Sequence, residues 1–178
     1  MSFPEIVLLY PLTLVYGGII IILCATCSDS RHIGWMIAGW LTFSLGEYLN
    51  HRFYYHDHNT LPKAWHTDEH VNHHKHPSDP DDIVFTLRET VPVVTMGVVI
   101  FLWIHRPPYF NGYAYVVGIL LGYLSYEWVH VLAHVQPPNR NAWMDWISVH
   151  HQMHHARPHT NYGVSTPLWD IIFSTKDN

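Results

Sequence analysis

The sequence is poor in charged side chains and in cysteine, and each shortage excludes a class of protein. Lys, Arg, Asp and Glu make up 13% of the 178 residues, about half the share of roughly 25% in soluble domains. The nine basic residues form no block and the net charge is −5, which argues against a nucleic-acid partner. The two cysteines, Cys24 and Cys27, lie within an apolar run and build no disulfide framework. We therefore predict one domain, much of whose surface faces something other than water.

The chain is rich in long apolar runs. A helix needs about 20 apolar residues to cross a bilayer. We predict four membrane-spanning helices arranged as two helical hairpins, with a cytoplasmic helical cap formed by residues 51–87 and 135–178. The first run precedes no clear small-residue cleavage site, so we interpret it as a retained helix and not as a signal peptide. The predicted spans are residues 6–27, 33–49, 88–104 and 113–132.

The distribution of basic residues predicts which side of the membrane the cap occupies. Arg31 and Arg106 fall in the two short turns of the hairpins, and the other seven Lys and Arg residues fall in the cap segments or, in the case of Arg88, at the boundary between the cap and the third span. Cytoplasmic segments carry an excess of Lys and Arg. We therefore predict a multi-pass membrane protein whose cap lies on the cytoplasmic side.

Histidine is the most over-represented residue type, with 17 in the chain. Ten of them form four spaced clusters that follow or flank the apolar runs on the predicted cytoplasmic side. The clusters are His51 and His56 (H-x4-H), His70, His73 and His74 (H-x2-H-H), His130 and His134 (H-x3-H), and His151, His154 and His155 (H-x2-H-H).

The spacing within the clusters predicts convergent metal ligands. Side chains three or four residues apart share one face of a helix, whereas the five-residue separation of His51 and His56 suggests that the helix ends or distorts there. Ten imidazoles at one depth could hold two metal ions with few or no carboxylates. Imidazole suits iron, zinc, copper and nickel alike, so the residues themselves leave the metal open.

The order of the four clusters resembles the fatty acid hydroxylase and sterol desaturase superfamily, from about residue 39 to 175. Asn161-Tyr162-Gly163, followed by residues 166–170 and Phe173, also resembles the C-terminal signature of that family. The resemblance implies a four-helix membrane bundle with a cap and a dinuclear site of ten histidines. The implied cofactors are two iron ions, with zinc as a substitute after purification, together with dioxygen. The implied activity inserts oxygen into C–H bonds of lipids or desaturates them.

Carboxylate and amide side chains near the clusters are candidates to support the ligands. Glu47 and Glu127 precede a histidine cluster by four and three residues, and ionisable residues in apolar helices usually face an interior. Either carboxylate could accept a hydrogen bond from a ligand imidazole, or Glu47 could instead pair with Arg52. Asn161 and Asp170 are further candidates because they match the family signature. Weaker candidates are Asp68 and Asn72 for support, and His66 and His150 as additional ligands.

Three functional interpretations follow from this pattern. The first is a di-iron, dioxygen-dependent lipid hydroxylase that acts on a fatty acyl, sphingolipid or sterol substrate. It would receive electrons from a separate cytochrome b5-, ferredoxin- or reductase-type protein, since we find no fused cytochrome b5 domain. A carotenoid hydroxylase or a desaturase with the same chemistry is the second. The third is a membrane metal-binding protein without turnover. A zinc hydrolase needs only three protein ligands per ion, fewer than the ten found here.

Overall fold

Helices account for all the regular secondary structure in the part of the chain that the structure describes. The computed structural model describes residues 4–25, 31–56, 65–79, 83, 111–135 and 141–177. The α-helices are α1 (Pro4–Cys24), α2 (Arg31–Leu49), α3 (Trp65–Lys75), α4 (Gly112–Val135), α5 (Ala142–Ala156) and α6 (Leu168–Ile172), and a π-helix (Asn50–Tyr55) continues α2. The predicted all-α fold class is confirmed for these residues.

Three of the four predicted spans correspond to helices. The spans predicted at 6–27, 33–49 and 113–132 are α1, α2 and α4, and the predicted third span, residues 88–104, lies outside the described residues. Among the described helices, α4 is long and apolar enough to cross a bilayer, and α1 contributes a shorter apolar stretch, Pro11–Cys24. The four-span arrangement therefore stays a prediction.

The helix α4 is the centre of the bundle, and α1 and α2 pack against it. Leu12 and Tyr16 of α1 are buried with Val116, Leu120 and Tyr123 of α4. The Tyr16 and Tyr123 rings meet edge to face, with centroids 5.2 Å apart, which is a preferred geometry for aromatic pairs.

Two glycines let the backbones of α2 and α4 touch. A Cβ atom at Gly39 would lie 2.1 Å from the carbonyl oxygen of Tyr115, and one at Gly118 would lie 2.0 Å from that of Met36. Such distances exclude any side chain. Small residues allow helices to approach closely inside a membrane, where association depends on packing. The contact fixes the position of α2 relative to α4, and with it the relative positions of the histidines at their C-terminal ends.

We expect Gly118→Ala to destabilise the fold. Forcing a methyl group into this contact separates α2 from α4, and overpacking of this kind costs about 1–3 kcal/mol. The Tm in detergent should fall by roughly 2–12 °C. Gly46→Ala is the matched control, because a Cβ atom there meets nothing within 4 Å. Equal Tm values for the two variants would contradict the proposed close contact.

The π-helix Asn50–Tyr55 accounts for the unusual spacing of the first histidine pair. The sequence predicted that the helix ends or distorts between His51 and His56, and the structure confirms a distortion at this position. Hydrogen bonds in a π-helix join residues five apart. His51 and His56 therefore return to the same face, and their ring centroids lie 5.0 Å apart.

The C-terminal residues fold back against the end of α2. Trp169 donates a hydrogen bond from its indole Nε1 to Ser44 Oγ, 3.0 Å away. The rings of Tyr48 and Phe173 stack with their centroids 5.3 Å apart. These contacts bring the loop between α5 and α6 next to the π-helix and its histidines.

Candidate metal centre

Five of the ten clustered histidines form a first group. Their ligand nitrogens all lie within 4.8 Å of one another. Their Nε2 atoms form a continuous series of close neighbours, at 3.2 Å for His51 and His70, 2.9 Å for His70 and His56, 3.1 Å for His56 and His154, and 3.1 Å for His154 and His74. The first group is His51, His56, His70, His74 and His154.

The other five clustered histidines form a second group. Four of them, His73, His134, His151 and His155, have ligand nitrogens within 4.8 Å of one another. The Nε2 atoms of His134 and His155 lie 2.9 and 3.1 Å from that of His151. His130 completes the second group, since its Nε2 lies 3.2 Å from Nε2 of His73. The structure thus brings together all ten predicted residues, five in each group.

Each H-x2-H-H cluster is divided between the two groups. The α3 cluster contributes His70 and His74 to the first group and His73 to the second. The α5 cluster contributes His154 to the first group and the pair His151 and His155 to the second. The division follows from helix geometry, because consecutive residues project about 100° apart around the axis. The two groups touch where the rings of His74 and His155 lie 4.4 Å apart.

Backbone carbonyls fix the orientation of three imidazoles. Nδ1 of His51 donates to the carbonyl oxygen of Tyr162, Nδ1 of His154 to that of Thr160 at 2.7 Å, and Nδ1 of His130 to that of Ile83 at 2.9 Å. A carbonyl oxygen can only accept a hydrogen bond. Nδ1 therefore carries the proton in these rings, and the lone pair on Nε2 points at the neighbouring imidazoles.

This donor set fits a metal ion in each group. A cation between the Nε2 atoms of a group would bind the lone pairs of His51, His154 and His130 that point at their neighbours. Nitrogen ligands bind zinc at about 2.0–2.1 Å, so neighbouring ligands at right angles around one ion would be about 3 Å apart. The measured Nε2 separations of 2.9–3.2 Å agree with that spacing.

Burial keeps the imidazoles of the cap in the neutral form that a metal requires. Desolvation is the main cause, and it lowers the pKa of His74 to about 4. It also lowers the pKa of His154 to about 3, with neighbouring imidazoles adding to the effect. The pKa values of His51, His70 and His151 are likewise well below the ordinary 6.5, for the same reasons. No proton must therefore be displaced at neutral pH before these rings bind a metal.

Asp170 supports the site through the backbone. It is fully buried. Its Oδ1 accepts from the amide of Tyr162 at 2.8 Å, and its Oδ2 accepts from the amide of Gly163 at 2.8 Å. Asn161, which has a positive φ of 52°, bonds to the C-terminal residues, because its Oδ1 accepts from the amide of Asp177 at 2.8 Å. Both predicted support residues thus lie next to the carbonyls that orient His51 and His154.

Glu47 contacts the same loop and not an imidazole. Its Oε1 accepts from the amide of Val164 at 2.6 Å, and its Oε2 accepts from the amide of Ser165 at 3.2 Å and from the Ser165 hydroxyl. The structure therefore differs from the sequence prediction that Glu47 accepts a hydrogen bond directly from a ligand imidazole. The reason is that the loop between α5 and α6 packs against the end of α2, so that its amides lie next to Glu47. Glu127 is fully buried in α4, three residues before His130, and its supporting role stays a prediction.

The weaker sequence candidates lie apart from the two groups or outside the described side chains. His150 is buried, stacks on Trp146 with ring centroids 5.3 Å apart, and places Nε2 3.4 Å from Asp170 Oδ2. Asn72 contacts the exposed His76, 3.2 Å from its Nδ1. The side chains of His66 and Asp68 fall outside those the structure describes.

Sequence reasoning missed the main-chain groups of the site. The carbonyls of Thr160, Tyr162 and Ile83 orient three ligands, and a carbonyl is common to every residue type. The only available signal was indirect. Gly163 has no room for a Cβ atom, which would lie 2.2 Å from the carbonyl oxygen of Thr166, so a glycine at this position indicated a tightly folded loop.

In the described residues the regular structure is all-helical, and the site consists of two adjacent histidine-only groups suited to a pair of metal ions. The family model of fatty acid hydroxylases matches residues 36–175. The chain belongs to the fatty acid hydroxylase family.

Characterised relatives share the same region. The chain is 33% identical to fatty acid 2-hydroxylase from Rattus norvegicus over 154 residues, which is 83% of this chain and 40% of the relative. It is 32% identical to a dihydroceramide fatty acyl 2-hydroxylase from Arabidopsis thaliana, covering 80% of this chain and 61% of the relative. The chain thus spans between two-fifths and three-fifths of the length of these relatives.

A solved structure has the same fold. The visible hydroxylase domain of full-length Scs7p superposes with a TM-score of 0.73 at 21% identity, covering 98% of this chain and 66% of that one. At this identity the comparison establishes the fold alone. It agrees with the arrangement of helices described above.

Proposed function

We propose that the protein is a membrane-bound, non-haem di-iron hydroxylase that inserts one oxygen atom from dioxygen into the acyl chain of a lipid. The observation that carries the proposal is the division of ten buried and half-buried histidines into two groups of five, with Nε2 atoms facing one another. A store or carrier of metal does not need two adjacent closed sites. The family membership supports the same conclusion.

The residues would hold the metals without any carboxylate ligand. His51, His56, His70, His74 and His154 would bind the first ion, and His73, His130, His134, His151 and His155 the second. Two iron ions held there would supply the activation of dioxygen, which no side chain can perform. The protein would contribute by fixing the imidazoles, keeping them neutral and excluding water from the space between them.

Acyl lipids are the substrate class that the relatives of this chain favour. The relatives named above are hydroxylases of fatty acids and of the acyl chain of dihydroceramide. We propose the same class here, with hydroxylation at the acyl 2-position. A sterol substrate, a carotenoid substrate and a desaturation outcome use the same chemistry and are distinguished by the product.

A membrane location places such a substrate within reach. Apolar side chains cover the outer faces of α1 and α2, where Leu14, Ile21 and Ile22 are 69–74% exposed and Ile33 and Ile37 are 55–60% exposed. In water this exposure is unfavourable, whereas in a bilayer it is matched by lipid. We propose a multi-pass topology with the metal site on the cytoplasmic side, where a separate electron-transfer protein has access.

Product analysis under labelled dioxygen tests this function. Cells that express the full chain, supplied with iron, should accumulate acyl lipids carrying one hydroxyl oxygen derived from isotopically heavy dioxygen. The doubly substituted variant His73→Ala, His154→Ala is the control and should give none. A desaturated product would contradict hydroxylation while keeping the oxidase class. Tight metal binding without any oxidised lipid would favour the alternative of a non-catalytic metal-binding protein.

A further inference from the structure

Two carboxylates hold one short loop by four consecutive backbone amides. The loop, residues 160–165, is called here the amide loop. Asp170 of α6 accepts from the amides of Tyr162 and Gly163, both at 2.8 Å. Glu47 of α2 accepts from the next two amides, at 2.6 Å for Val164 and 3.2 Å for Ser165. Carboxyl oxygens accept all four bonds, so the loop is fixed from two helices.

The opposite edge of the amide loop binds ligands of the first group. The carbonyl of Thr160 accepts from Nδ1 of His154 and the carbonyl of Tyr162 accepts from Nδ1 of His51. Both histidines belong to the first group. In the second group, the described carbonyl contact is made by Ile83, which lies on a different segment and bonds to His130. Among the described hydrogen bonds, the carbonyls of the amide loop therefore orient ligands of the first group alone.

One rigid peptide unit links Asp170 to His51. The carbonyl of Tyr162 and the amide of Gly163 belong to the same planar peptide bond. Its N–H donates to Asp170 Oδ2, 2.8 Å away, while its C=O accepts from His51 Nδ1. A negative charge at the N–H end polarises the unit and strengthens the bond at the C=O end. Asp170 thus acts on the imidazole through the backbone, without touching it.

We propose that Asp170 and Glu47 are positioning residues that serve the first metal site selectively, by fixing the amide loop that orients His51 and His154. This inference rests on the proposed function, since it requires that each group binds a metal. Ligand partners of this kind typically contribute 10–100-fold in metal affinity. The second site, whose ligands have no described hydrogen bond to the amide loop, keeps its affinity.

Zinc titration of Asp170→Asn in the full chain tests the proposal. An asparagine has nearly the same size, but its NH2 group replaces one of the two carboxylate oxygens and so faces the amide of Tyr162 or of Gly163 as a second donor. Starting from metal-free protein in detergent, the first site should lose about 10–100-fold in zinc affinity while the second is unchanged. Protein isolated at limiting zinc should then contain about one ion per chain instead of two. Glu47→Gln should change the affinities in the same direction.

Two reference variants make the outcome specific. Asp145→Asn alters an exposed carboxylate at the start of α5 and should retain both affinities. His134→Ala removes a ligand of the second group and should give the reciprocal pattern, with only the first site retained. Equal loss at both sites in Asp170→Asn indicates a general structural role and overturns the inference, as does unchanged binding at both. If the unaltered protein fails to bind two zinc ions, the dinuclear site itself is refuted, which is a distinguishable result.

Discussion

Replacing His154 with alanine is expected to abolish lipid hydroxylation, with a loss of more than about 100-fold. Loss of a group that only supports a ligand already costs 10–100-fold, and His154 is itself placed as a ligand. Its Nε2 lies 3.1 Å from the Nε2 atoms of both His56 and His74, so its removal opens the middle of the first group. The measurement is hydroxylated lipid per mole of protein, with metal content determined on the same sample.

His76→Ala is the matched control for this prediction. His76 follows the H-x2-H-H cluster of α3 but is exposed and contacts the Asn72 side chain. The variant should retain full activity and both metals. Because His154 is fully buried, loss of folding must be tested separately, by comparing the Tm values of the two variants after metal removal. Substantial hydroxylation by a folded His154→Ala variant would contradict its role as a ligand.

The sequence predicted the membership of the site better than its division. The spacings of three and four residues placed histidines of one cluster on a common helix face, and all ten converge in the structure. Which metal each histidine serves depends on where α3 and α5 lie relative to each other. That is a tertiary property: helix spacing separates His73 from His74 around α3, but it does not encode which ligands of α5 each of them meets.

The supporting residues show a similar limit. Asp170 and Asn161 were recognisable through the family signature, but their contacts are with backbone groups of the amide loop. Glu47 was recognisable as an ionisable residue in an apolar helix, yet its partner is 117 residues away in the chain. A sequence shows whether a side chain can donate or accept a hydrogen bond. The partner of that side chain is determined only when the loop between α5 and α6 folds back onto α2.

Removal of the metals is expected to lower the Tm of the protein by at least about 10 °C. A ligand that binds only the folded state, present at about 1,000 times its Kd, stabilises that state by about 4 kcal/mol. One kcal/mol corresponds to about 2–4 °C for a chain of this size. Two occupied sites would together contribute about twice this free energy and would therefore exceed the stated shift.

The measurement is thermal unfolding in detergent before and after treatment with a chelator, followed by re-addition of iron or zinc. Re-addition should restore the Tm, which separates metal loss from irreversible damage. The variant Asp145→Asn should show the full shift, because its substitution lies outside the site. Asp170→Asn, with one site weakened, should show a smaller shift at limiting metal. If the chelator leaves the Tm unchanged, the close Nε2 contacts of 2.9–3.2 Å are held by hydrogen bonds between imidazoles and not by metal ions.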